Sequence, residues 1–170
     1  MFQCLPDWIA PVPLAEAKKE LSGSVDLENM ERLAPLLHGR QKPVQVHLQF
    51  GIDETGIRYL QGTISGAIEL ICQRCLEALT VPVQLKMQLG IIEGVDEGNR
   101  LPKCYEPLMA TRDPVRLTNL IEDELLLCLP TVPMHGESEH CERRLPMTTG
   151  ASEPAKQNPF AALAQLKSKL

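Results

Sequence analysis

The residues most able to do chemistry lie in ELICQRCLEALTVPV, Glu69 to Val83, where Cys72 and Cys75 stand two residues apart between alternating apolar runs. Thiolates at that spacing on a tight turn can both face one metal ion, an arrangement that recurs in zinc sites. A closed site needs two more donors, and HGESEHC offers His135, His140 and Cys141. Immediate neighbours rarely point at one ion, so the expected ligands are Cys72, Cys75, His135 and Cys141, with His140 the alternative to His135. Cys4, Cys104 and Cys128 are poorer donors, and Cys128 is expected on the apolar face of a helix. Two readings compete with zinc. One is a turn holding two reduced thiols and no metal. The other is a redox pair, which Arg74 could activate; redox pairs normally open a helix, whereas LEALTVPV leads into a strand.

Other catalytic constellations are poor. No glycine-rich phosphate loop follows a strand. The Glu122–Asp123–Glu124 run could hold a divalent ion, but consecutive helical positions diverge around the axis. His47 alternates outward on a strand and His38 ends an expected helix. No catalytic residue and no small-molecule substrate is assigned.

The elements that must position the thiols are legible from periodicity. Residues 14–37 read as helical, with LAEAKKEL rich in helix formers. Ser24 or Asp26 could cap a second stretch carrying Leu27, Met30, Leu33, Ala34 and Leu37 at helical spacing. Three period-two runs follow, from Val44 to Phe50, Leu60 to Leu70 and Val81 to Ile91, the mark of an antiparallel sheet with one wet face. Pro82 belongs at a strand start or an edge. Gly62 and Gly66 fall on the apolar side, with room for a helix to approach. A second helix is expected over 114–129, with Asp113 as cap, Pro114 in its first turn and Pro130 ending it. The expected fold class is α+β: an antiparallel sheet of three or more strands packed by helices. The domain covers 1–145, a flexible linker 146–157, and a short amphipathic helix 158–170, in which Phe160, Leu163 and Leu166 share a face. A helix that short must dock to persist, on its own domain or in a groove on a partner.

Composition narrows the function. The 170 residues are 44% hydrophobic and 23% charged, ordinary for a globular protein. No apolar run approaches a membrane span and no secretory signal opens the chain, so the cytoplasm is expected, with reduced cysteines. The net charge of −5 argues against gripping nucleic acid by bulk electrostatics. It resides from Leu117 to Cys141, where Glu122, Asp123, Glu124, Glu137 and Glu139 meet no Lys or Arg. Six scattered aromatic residues make a base-stacking platform hard to build.

The segments ICQRCLEAL, YEPL, LIEDELLLCLPTVPMH, EHC and NPFAALAQLKSKL, in that order, resemble the bacterial YceD family of large ribosomal RNA subunit accumulation proteins. The resemblance implies a role in synthesis, processing or stability of large-subunit (23S) ribosomal RNA and supplies no catalytic residues. An acidic chain in such a role is expected to recruit or protect a basic ribosomal protein or processing factor through Glu122, Asp123 and Glu124, with Phe160, Leu163 and Leu166 as a docking helix. Direct RNA contact through Arg74, Lys86, Arg143 and Arg144 is the competing account. A non-enzymatic factor is expected. An RNA-processing enzyme, or a zinc-dependent adaptor unrelated to ribosomes, is the alternative.

Overall fold

The computed structural model describes residues 5–110 and 113–136. In chain order these form β1 (Trp8–Ile9), α1 (Pro11–Glu16), β2 (Glu20–Val25), 3₁₀ turns at Leu27–Asn29 and Ala34–Leu36, β3 (Val44–Ile52), β4 (Arg58–Ile71), β5 (Ala78–Ile92), α2 (Val95–Gly98), β6 (Glu106–Met109), β7 (Val115–Arg116) and α3 (Leu117–Cys128). The three alternating runs become β3, β4 and β5, neighbours in one antiparallel array. β2 extends the sheet on one side and β6, parallel to β5, on the other, giving the order β2-β3-β4-β5-β6. β1 and β7 make a separate two-stranded sheet that ties the start of the chain to the entrance of α3.

Among the described residues, one face of the large sheet is covered and the other is open. Val46, Leu48, Phe50, Leu60, Ile64 and Met87 project into a core closed by α1, α3 and the 27–33 segment. Pro82 lies where β5 forms the edge, since β6 reaches only Leu89 to Ile92; its missing N–H leaves no ladder bond unmade. No described helix is long and apolar enough to cross a membrane.

The helix expected over 14–37 is the main correction. α1 ends after one and a half turns in a Schellman motif: Lys19 N–H donates to Leu14 O and Lys18 N–H to Ala15 O. Lys18 takes the left-handed backbone usually given to glycine, at φ 48°. The chain reverses there, and ELSGSV pairs with β3 along its length. Strand pairing on a sheet edge outweighs the helix propensity of LAEAKKEL, which is worth only tenths of a kcal/mol per residue. Ser24 therefore lies in a strand, and Asp26 precedes a 3₁₀ turn without a capping side-chain bond. Leu27, Met30 and Leu33 are buried as their spacing suggested, but on a 3₁₀ turn, its C-cap and the turn that follows. His38 belongs to a loop, where its N–H donates to Glu69 O.

Three smaller corrections follow. α3 starts at Leu117 behind a short strand, with Arg116 rather than Asp113 at the N-cap. Cys128 is exposed, because the helix turns its Leu117, Ile121 and Leu125 stripe inward instead. The space beside Gly62 is filled by Met87 and Leu48 from the flanking strands, and that beside Gly66 by Val44, not by a helix.

Candidate functional site

The β4–β5 turn carries the thiols. Leu76 N–H donates to Cys72 O and Cys72 N–H to Glu77 O, both at 2.9 Å, which closes the turn. Leu76 sits in the left-handed region at φ 64°, a conformation that costs a residue with a Cβ about 1–2 kcal/mol. The turn is held from outside as well: Gln73 N–H donates to Pro133 O at 2.8 Å, docking the segment after α3 against it. That segment delivers His135. The donor atoms of Cys72, Cys75 and His135 lie within 4.8 Å of one another. Cys75 Sγ is 3.4 Å from His135 Nδ1, and His135 Nε2 is 3.1 Å from Ala78 O. An Nε2–H donated to that carbonyl leaves the Nδ1 lone pair facing the thiols, the usual way a protein orients a histidine ligand. The Arg74 N–H points at Cys72 Sγ at 3.4 Å. Cys72 is buried and Cys75 half-buried. Two thiolates and an imidazole are a donor set suited to zinc, and their clustering fits a tetrahedral ion with one further ligand. Cys141, the expected fourth ligand, and His140, the alternative to His135, lie outside the described residues. So do Arg143, Arg144, the 146–157 linker, and the 158–170 segment with Phe160, Leu163 and Leu166.

The acidic run divides by its helix positions. Glu122 is 3% exposed, so it stands inside the protein and not on an acidic surface strip. Its Oε1 accepts from the Arg32 N–H at 2.7 Å and the Leu33 N–H at 3.0 Å, and its Oε2 from the Arg32 guanidinium at 2.9 and 3.1 Å. Burial alone would raise its pKa. The two backbone amides and the guanidinium outweigh that, and the carboxyl titrates below the usual glutamate range. Asp123 is exposed and pairs with the same Arg32. Glu124 is half-buried, its pKa raised first by burial and then by Glu106 and Asp123. Asp123 and Glu124 are thus the members of the run that keep a solvent-facing carboxylate, and Glu122 pins the 27–33 segment to α3.

Arg74 is exposed at the turn and Lys86 is exposed on the open face of the sheet. Around Lys86 lies a group of residues that periodicity placed outward without revealing their company. Strand register aligns Ser24, Gln45, Ser65 and Gln84 in one row, Ser22, His47, Thr63 and Lys86 in the next, and Glu20, Gln49, Gln61 and Gln88 in a third. Ser22 Oγ and His47 Nδ1 are 2.6 Å apart. Beyond the third row, Tyr59 lies over Gly51, and Leu101 covers Gly90 from the β5–β6 connection. That connection brings Tyr105 against Tyr59, ring centroids 6.5 Å apart at 26°. Two of the scattered aromatic residues therefore meet, because the crossover spans one end of the open face. The Tyr105 hydroxyl donates to Asp53 at 3.1 Å and also bonds Gln88. Burial, then Asp53, raises its pKa.

Comparison with known proteins adds to this geometry. Residues 60–167, which span β4, the thiol turn, α3 and most of the terminal segment, match a family described as Large ribosomal RNA subunit accumulation protein YceD. The chain is similar to a Haemophilus influenzae protein of the same description, 32% identical over 170 residues that cover 97% of each chain. No solved structure matches.

Proposed function

Because the chain belongs to the YceD family, we propose that it acts in the cytoplasm as a non-enzymatic factor supporting synthesis, processing or stability of 23S ribosomal RNA. The observation that carries this reading is the similarity to the Haemophilus influenzae protein along nearly the full length of both chains. The partner is large-subunit ribosomal RNA within a precursor particle, reached in part through a basic ribosomal protein or processing factor. Asp123 and Glu124, with Glu137 and Glu139 further along, supply the acidic side chains for that contact, and Phe160, Leu163 and Leu166 an apolar one.

The same proposal assigns zinc to Cys72, Cys75 and His135, with Cys141 as fourth ligand. Bound there, zinc would fasten the turn to the segment after α3. Its role is structural, since a Cys₃His set leaves no open position for substrate. Supporting this are the clustered donors, the Nε2 bond to Ala78 O and the Gln73–Pro133 bond across the same junction.

The test is complementation of a deletion strain with the full chain. Restored 23S ribosomal RNA relative to 16S, and co-sedimentation of the protein with precursors of the large subunit, are expected. Unchanged 23S levels in the deletion strain would overturn the proposal. Cleavage of ribosomal RNA by the pure protein would replace it with an enzymatic one.

A further inference from the structure

We infer that the open face of the sheet is a binding site for single-stranded RNA, read through base edges more than through phosphate. The inference rests on the ribosomal RNA role proposed above and names the face that makes the contact.

The first observation is composition. The three aligned rows hold twelve side chains, of which Glu20 and Lys86 carry formal charge. The wet face of a soluble sheet is ordinarily a mixture of both signs. Here five glutamines occupy it: Gln45, Gln49, Gln61, Gln84 and Gln88. Each carboxamide offers two donors and an acceptor in a plane, the pattern that matches the edges of nucleobases. Neighbouring positions on such a face are about 4.8 Å apart across strands and about 6.8 Å along them, so adjacent amides fall beneath one planar base.

The second observation is shape. A depression of about 390 Å³ lies among His47, Gln49, Gln61, Thr63, Lys86 and Gln88. It is bordered at one end by the Tyr59–Tyr105 pair and Leu101. The third is charge. The chain carries −5 overall, yet Glu20 on the outer strand is the one carboxylate in the rows. The middle row holds His47 and Lys86, two groups able to face phosphate. Asp53, beyond the tyrosines, is engaged by Thr55, Ile57 and Tyr105.

The chemistry favours RNA over a protein partner. Protein docking surfaces are anchored by apolar and aromatic side chains that fill pockets, and none projects from these three rows. A duplex is disfavoured too, because its base edges are paired and its recognition runs through backbone contacts that one lysine cannot supply. The face should therefore bind weakly and with little salt dependence, as each phosphate contact contributes a slope of only about −0.7 on single strands.

The experiment uses the full chain and oligoribonucleotides of about ten residues, as homopolymers and as a duplex. Fluorescence anisotropy gives affinity, and NMR follows the glutamine side-chain NH₂ signals. At least one single strand should bind at least about tenfold tighter than the duplex, and the signals of Gln49, Gln61 and Gln84 should move. Gln61→Ala should weaken binding about tenfold, the loss of one base contact. Lys86→Ala should reduce the salt slope by about 0.7. Arg116→Ala, an exposed residue at the entrance of α3 on the covered side of the sheet, should bind as wild type. Both test residues are exposed, so their melting temperatures should be unchanged. Binding that Gln61→Ala and Lys86→Ala leave intact, or shifts confined to other surfaces, would overturn the inference. In cells the two readings separate. If the double variant restores 23S ribosomal RNA fully in a strain that needs the protein, the face is wrong and the accumulation role stands. If the deletion leaves 23S unchanged, the role itself fails.

Discussion

Replacing Glu122 tests how this fold holds its segment between β2 and β3. The side chain is 3% exposed and its two oxygens accept four hydrogen bonds, two from backbone amides of Arg32 and Leu33 and two from the Arg32 guanidinium. Glu122→Ala removes all four. Arg32 itself is 52% exposed, so its guanidinium returns to water at little loss. The amides are less fortunate: Leu33 is fully buried, and an unpaired buried donor costs about 1–3 kcal/mol. Adding the shortened side chain, the expected destabilisation is about 3–4 kcal/mol, or on the order of 10 °C in melting temperature. Glu122→Gln keeps an acceptor for the amides but sets an NH₂ against the guanidinium, and should lose about 1–2 kcal/mol. The dependence on pH follows from the depressed pKa. A carboxylate favoured in the folded state stabilises fully above the usual glutamate value of 4.5, progressively less as pH falls below it, and not at all beneath the folded-state pKa. Urea unfolding at pH 7 and in steps down to about pH 3 measures this directly. The gap between wild type and Glu122→Gln should narrow on acidification. A Glu122→Ala protein within about 0.5 kcal/mol of wild type at pH 7, or a gap to Glu122→Gln indifferent to pH, would refute the reasoning.

Elemental analysis of protein purified without chelator should find about one zinc per chain. Chelation should then lower the melting temperature, and Cys72→Ser should destabilise by several kcal/mol; a metal-free protein of equal stability would leave the thiol turn a simple turn. Gly62→Ala should lose about 1–3 kcal/mol in thermal or urea unfolding, since its new methyl group meets Met87 and Leu48 in a packed core, and an unchanged midpoint would show that Met87 yields freely. Deleting residues 158–170 should leave the melting temperature unchanged and abolish rescue of 23S ribosomal RNA. A drop in melting temperature would show instead that this segment packs on its own domain.

The strands β3, β4 and β5 could be read from the chain because a half-buried strand writes its two faces as alternating residues, and nothing else in a soluble protein sustains that pattern for so long. The thiol turn was legible for the same reason: it had to fall between two such runs. The helical reading of 14–37 failed where two signals overlapped. LAEAKKEL is a good helix in isolation, and only the open edge of β3, formed by residues further along, makes ELSGSV a strand. The spacing of Leu27, Met30 and Leu33 marks them as core, but burial at a three-residue interval is shared by α-helix and 3₁₀ or other tight turns. Glu122 shows the limit most plainly. Its neighbours mark it as one of three surface acids on a helix, and what removes it from the surface is Arg32 and Leu33, some ninety residues earlier in the chain. The residue type marks His135 as a donor, yet its role depends on which ring nitrogen faces the thiols, and that is set by a carbonyl at Ala78. The open face belongs wholly to tertiary structure. Each glutamine is an unremarkable outward residue on its own strand, and Tyr59 and Tyr105 are 46 positions apart. Alternation tells which way a side chain points; only strand register tells what stands beside it, because register depends on pairing between segments that share no local sequence.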